Sequence, residues 1–161
     1  MLAGVYQLTD FYVACQQDAA LVWLVADRAR EQAEAADDPY MIACSAWGMV
    51  QALRDSGRRD EALSLIDSGT TLLAPYVELD ETPDDWRGIT GALHAEGALA
   101  HSRRGRYGDA WSAWDRADGW ARKLGRRSVT TATHATCCSR CGRRHQPVWR
   151  ATYASCASVA A

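Results

Sequence analysis

At 161 residues the chain is long enough for one domain with a sizeable core. Its longest apolar run, residues 19–26 (AALVWLVA), is far too short to cross a bilayer, and the opening MLAGVYQLTD has neither the basic region nor the apolar core of a secretory signal. Six cysteines in a chain without such a signal do not read as a disulfide framework, so a cytoplasmic protein with no membrane partner is expected.

The net charge of −2 joins two unlike parts. Residues 1–125 carry 12 Lys+Arg against 20 Asp+Glu, a net of −8, whereas residues 126–161 carry six Arg and no acid, a net of +6. Leucine stops at the same place: thirteen precede Gly125 and none follows it. The sequence therefore divides into a body, 1–125, and a basic Cys/Arg-rich tail, 126–161.

Within the body the apolar period is helical and no strand-like alternation of any length occurs. After a first helix bearing Leu8 and Phe11, DAALVWLVADRAREQAEAADDP places Leu21, Leu24, Val25 and Arg28 on one stripe. Asp18 is positioned to cap that helix, and Asp38–Pro39 closes it. PYMIACSAWGMVQALRDSG begins with Pro39, where a missing N–H costs nothing, and stops at Gly57. DEALSLIDSGTTLL follows, then a polar stretch from Pro75 to Asp84. The last two helices are DDWRGITGALHAEGALAHSRRG and YGDAWSAWDRADGWARKLG.

Three segments align without gaps: QQDAALVWLVAD (16–27), RRDEALSLIDSG (58–69) and RYGDAWSAWDRA (106–117). Ala20, Ala62 and Ala110 coincide, followed by Leu21, Leu63 and Trp111, then Leu24, Ile66 and Trp114. Twelve positions before each alanine stand Leu8, Val50 and Ala98, and three further on Phe11, Leu53 and His101. Small residues facing small residues let two antiparallel helices approach closely, which is the spacing of a tetratricopeptide (TPR)-type pair. The repeats are offset by 42 and 48 residues, more than the standard repeat of about 34. The expected fold is all-α: a TPR-like array of three antiparallel helix pairs with a disordered tail.

The stretch from LAGVYQLTDFYVACQQDAALVWLVADRAREQ to ALSLIDSG, together with WDRADGWARKLG, resembles the C-terminal sensor region of actinobacterial helix-turn-helix (Cro/repressor-type) transcriptional regulators, over about residues 2–125. The resemblance implies regulation through binding of a peptide, protein or small effector. Two departures stand out. Such regulators carry their DNA-binding helices upstream, whereas Met1 lies almost on the first helix, and they continue with further helices after the position of Gly125. This chain alone is therefore expected not to bind DNA specifically.

No phosphate-cradling glycine loop, zinc helix or nucleophile elbow occurs in the body, so no catalytic residue and no cofactor is expected. His94 and His101 lie two helical turns apart, about 10.5 Å, too far to share one zinc ion; His101, at the register of Phe11 and Leu53, reads as a hydrogen-bonded core histidine. Cys15 and Cys44 read as small buried hydrophobes. The acids Asp80, Glu81, Asp84 and Asp85 read as a solvated loop favouring the start of the next helix.

The repeat register assigns the concave, ligand-binding face to Val5, Thr9 and Tyr12, then Trp47, Gln51 and Arg54, then Leu99, Ser102 and Arg103. Rings supply contact area there, while hydroxyl, amide and guanidinium groups fix a peptide backbone. Trp111, Trp114 and Trp120 form core, or an apolar patch favouring self-association.

The tail contains ATCCSRCGRRH at residues 135–145. One reading is zinc bound by Cys138, Cys141 and His145, with His134, Cys137 or Cys156 as fourth ligand and the arginines on nucleic-acid phosphates. That spacing fits a compact knuckle poorly. The competing reading, a frame change in GC-rich coding DNA, explains why Arg, Ala, Ser, Thr and Cys replace leucine and acids where the resemblance stops. Accidental cysteines and no bound metal are the expectation.

Overall fold

The computed structural model describes residues 19–125. Thr9, Tyr12 and Asp18 lie outside the described residues, as does the whole tail with Cys138, Cys141 and His145. The described residues contain five helices and no strand: α1 (Ala19–Ala36), α2 (Pro39–Asp55), α3 (Arg59–Val77), α4 (Asp84–Ser102) and α5 (Tyr107–Lys123). None of these helices is long and apolar enough to cross a membrane.

The helix boundaries follow from local chemistry. Asp38 caps α2, its carboxylate accepting from the N–H groups of Tyr40 at 3.0 Å and Met41 at 3.3 Å, and Pro39 opens the helix. Gly57, at φ 84°, reverses the chain after α2, a conformation open to glycine without a Cβ clash. The α3 helix runs through Pro75 to Val77, further than the polar stretch in the sequence suggests. The reason is packing: Leu73 and Val77 are both buried, one turn apart, and their burial offsets the single hydrogen bond lost at Pro75.

Each helix packs on the next across a short connection, and α2 additionally packs on α4. Short connections make such neighbours antiparallel. The seams are built largely from small residues: Ala26, Ala29 and Ala33 on α1, Ala43 and Ala46 on α2, Ala62 and Gly69 on α3, and Ala110, Ala113, Ala117 and Ala121 on α5. Gly69 marks the closest approach, since a Cβ there would meet Leu93 Cδ1 at 3.0 Å. Leu73, Leu93 and Val50 are the largest fully buried side chains and fill the centre.

The α1 helix buries a different face from the one its leucines suggest. Val25, Ala26, Ala29 and Ala33 are buried, while Leu21, Leu24 and Arg28 are exposed, Leu24 at 55%. The alanines win because only they let α1 lie close along α2. In the repeat alignment Ala62 and Ala110 are buried, as are Val50, Leu53 and Ala98, whereas Ala20 is exposed.

Candidate functional site

Because α2 and α4 touch each other as well as α3, they form a continuous two-helix face. On α2 the residues Tyr40, Cys44, Trp47 and Gln51 are spaced by three or four positions and so share one side of the helix. All four are half-buried, and Trp47 packs its ring against the central core. On α4, Leu99 is buried and the last residue, Ser102, half-buried, and Arg103, which caps the helix, is exposed. Six sequence-derived groove residues lie in the described region: Trp47, Gln51 and Arg54 run from the middle of α2 to its end, and Leu99, Ser102 and Arg103 mark the end of α4.

Arg54 differs from its neighbours there. It is 5% exposed and its guanidinium contacts the carboxylate of Glu96, itself 6% exposed. The same guanidinium donates through Nε to Asp55 Oδ1 at 3.0 Å and through Nη2 to Oδ2 at 3.3 Å. Arg103 donates from the α4 side to Asp55 Oδ1 at 3.0 Å. Two guanidiniums and two carboxylates therefore bind the end of α2 to α4, and Arg54 is committed to that network instead of presenting a free group to a ligand.

The electrostatics follow from burial and pairing. Burial pulls the Arg54 guanidinium down, but Glu96 and Asp55 outweigh it and hold the group above its ordinary value, so it stays charged. Burial pushes the Glu96 carboxyl up, against the pull of Arg54. Burial also raises Asp55, yet Arg54 and Arg103 together draw its carboxyl below its ordinary value. This network fixes the end of α2 against α4, with Arg54 and Glu96 buried at its centre and Asp55 and Arg103 exposed at its outer edge.

At the other end of the same face, Tyr40 stacks on Trp86, with centroids 5.6 Å apart and planes at 25°. Burial, reinforced by the neighbouring Cys44, Asp85 and Asp38, pushes the Tyr40 phenol up, so it remains a neutral hydroxyl, hydrogen-bonded to Cys44. Cys44 is half-buried.

His94 and His101 sit on α4, both half-buried. Burial, helped by Arg116 and opposed by Asp67, lowers His94 to about 4. Burial also lowers His101, whose Nδ1 is buried without a hydrogen-bond partner, unlike the satisfied core histidine expected from the register. Among the described residues no group of three His, Cys, Asp or Glu side chains comes together to hold a metal ion. On α5, Trp111 is 38% exposed, whereas Trp114 and Trp120 are half-buried against neighbouring core residues.

Reading from sequence missed Glu96 and the Tyr40–Trp86 stack. A signal for the first was present: Glu96 is the single acid within the apolar GALHAEGALAH of α4, a position that demands a buried cation. Nothing comparable marked the aromatic stack, whose rings are 46 positions apart in the chain.

Compared with known protein families, curated proteins and solved structures, the chain matches none.

Proposed function

We propose that the body of this protein is a non-enzymatic binding module: a TPR-like helical repeat whose α2–α4 face receives a peptide, protein or small effector. In this reading it is the sensor part of a bacterial helix-turn-helix transcriptional regulator. The observation that carries the proposal is the two-helix face itself. In a repeat of helix pairs, the first helices of adjoining pairs touch and line the inner surface, and the contact between α2 and α4 supports reading them as such a pair of first helices. The half-buried Trp47 and Gln51 and the neighbouring Ser102 and Arg103 combine ring area with hydrogen-bonding groups at fixed positions.

The Arg54–Glu96–Asp55–Arg103 network supports the same reading, because a preorganised floor reduces the entropy lost when a ligand is ordered on it. Selection of a displayed peptide library against the full chain provides the test. Enriched peptides should lose affinity about tenfold on Gln51→Ala or Arg103→Ala and keep it on Ser64→Ala, an exposed position of α3 outside the proposed face. Binders indifferent to Gln51 and Arg103, or no enrichment at all, would overturn the proposal.

A further inference from the structure

Where α3 ends and α4 begins, three rings from separate elements meet. Trp86, stacked on Tyr40, also lies tilted against Tyr76, with centroids 5.1 Å apart and planes at 56°. Tyr76 is the outermost ring, 38% exposed, and Leu79 beside it is 47% exposed. An open cleft of about 340 Å3, lined by Val77, Glu78, Asp80, Arg87 and Lys123, adjoins them.

The charge on this surface is one-sided. Glu78, Asp80, Glu81, Asp84 and Asp85 are all exposed and lie in the segment that leads from Tyr76 at the end of α3 to Trp86 in the first turn of α4, Glu78 and Asp80 lining the cleft. The two cations nearby are already engaged. Arg87 donates to the carbonyl oxygens of Val77 at 3.2 Å and Leu79 at 2.6 Å, closing the end of α3. Lys123 lies 4.2 Å from the Trp120 ring centre and 3.3 Å from both Glu78 oxygens. Among the described residues, Asp80, Glu81 and Asp85 form no ion pair.

We propose that this aromatic surface, formed by Tyr76, Leu79 and Trp86 beside the exposed carboxylates of the α3–α4 connection, docks an arginine- or lysine-rich segment of a partner protein. A guanidinium or ammonium group is attracted to the exposed face of a tyrosine, and its aliphatic stem packs well on a leucine. Unpaired carboxylates draw such a segment in from a distance and repel acidic ones. The molecule uses the same chemistry internally, with Arg58 4.9 Å from the centre of the Trp23 ring. The inference does not depend on the α2–α4 face binding anything.

The test uses the full chain and a fluorescein-labelled peptide of four Gly-Arg repeats, with four Gly-Glu repeats as the control. The expected result is a saturable rise in anisotropy with the arginine peptide alone, weakening about tenfold on moving from low salt to about 0.3 M NaCl. Asp80→Asn, Glu81→Gln and Asp85→Asn combined should lower the affinity about tenfold. Tyr76→Leu, which keeps charge and apolar area, should lower it about threefold. All four side chains are exposed, so the variants should keep the parent circular dichroism. Four results overturn the proposal: no saturable binding, equal binding of the glutamate peptide, indifference to both variants, or binding that appears only when the six arginines of residues 126–161 are replaced by glutamine. The last would give the surface to the chain's own basic segment.

Discussion

Removing either partner of the buried Arg54–Glu96 pair should destabilise the protein far more than removing any surface charge, and removing both should restore much of the loss. Glu96→Gln leaves the Arg54 guanidinium 5% exposed, although its bonds to Asp55 at 3.0 and 3.3 Å survive. The loss should therefore fall at the low end of the range for a broken buried pair, about 3 kcal/mol. For a domain of this size, between the ranges of about 4–8 and 2–4 °C per kcal/mol, that lowers Tm by about 10 °C. Arg54→Met is harsher, because Glu96 then keeps only the more distant influence of Arg103. Its carboxyl should take up a proton, with a folded-state pKa above the unfolded one. The folded state then binds more protons than the unfolded state, so the deficit of Arg54→Met is smallest near pH 5 and grows as the pH rises toward 8. The double variant Arg54→Met, Glu96→Leu should lie within about 1–2 kcal/mol of the parent, since well-packed apolar replacements often match a buried pair. Urea denaturation of the parent, Arg54→Met, Glu96→Leu and their double variant at pH 5 and pH 8 completes the double-mutant cycle, with Glu96→Gln measured beside them. Single losses below about 1 kcal/mol, or a double variant showing the sum of both losses, would refute the reasoning.

Gly69→Ala should cost about 1–3 kcal/mol, because its Cβ would meet the fully buried Leu93 at 3.0 Å. Gly88→Ala, with nothing within 4 Å on the same helical array, should instead stabilise by about 0.5–1 kcal/mol, and thermal melts of the two distinguish packing from propensity. Asp38→Ala removes the cap on two N–H groups of α2 and should cost about 1 kcal/mol in the same assay. His94, lowered to about 4 by burial, holds its proton less readily in the folded state than in the unfolded state. Its contribution is therefore complete above about pH 6.5 and is lost as the pH falls toward 4. After allowance for solvent screening, His94→Gln should shrink the stability difference between pH 7 and pH 4.5 by about 1–2 kcal/mol, measured by urea midpoints; an unchanged difference would contradict it.

The legible part of the fold was its punctuation. Pro39 and Gly57 bound α2, and helical apolar spacing located all five described helices to within a few residues. What was illegible came from residues whose chemistry is ambiguous alone. Leucine dominates any hydrophobic pattern, so the face of α1 carrying Leu21 and Leu24 looked buried, whereas close helix approach favoured Ala26, Ala29 and Ala33. Pro75 looked like a terminator until the burial of Val77 carried α3 past it. Arg54 looked like an open groove residue because burial of an arginine depends on a partner 42 positions away. The repeat register named Trp47, Gln51, Ser102 and Arg103 together, and the structure sets them on α2 and at the end of α4, two helices in contact. Register cannot tell which polar side chain is tied down beneath the surface.

The most direct test of the binding-module reading is a titration of the isotopically labelled full chain with a selected peptide, followed by amide and indole NMR shifts. The expected result is a contiguous set of saturating shifts at the Trp47 indole and at the amides of Gln51, Ser102 and Arg103, with the outward faces of α3 and α5 unmoved. Shifts confined to α3 and α5, or no saturable shift on α2 and α4, would contradict the assignment of ligand binding to the α2–α4 face.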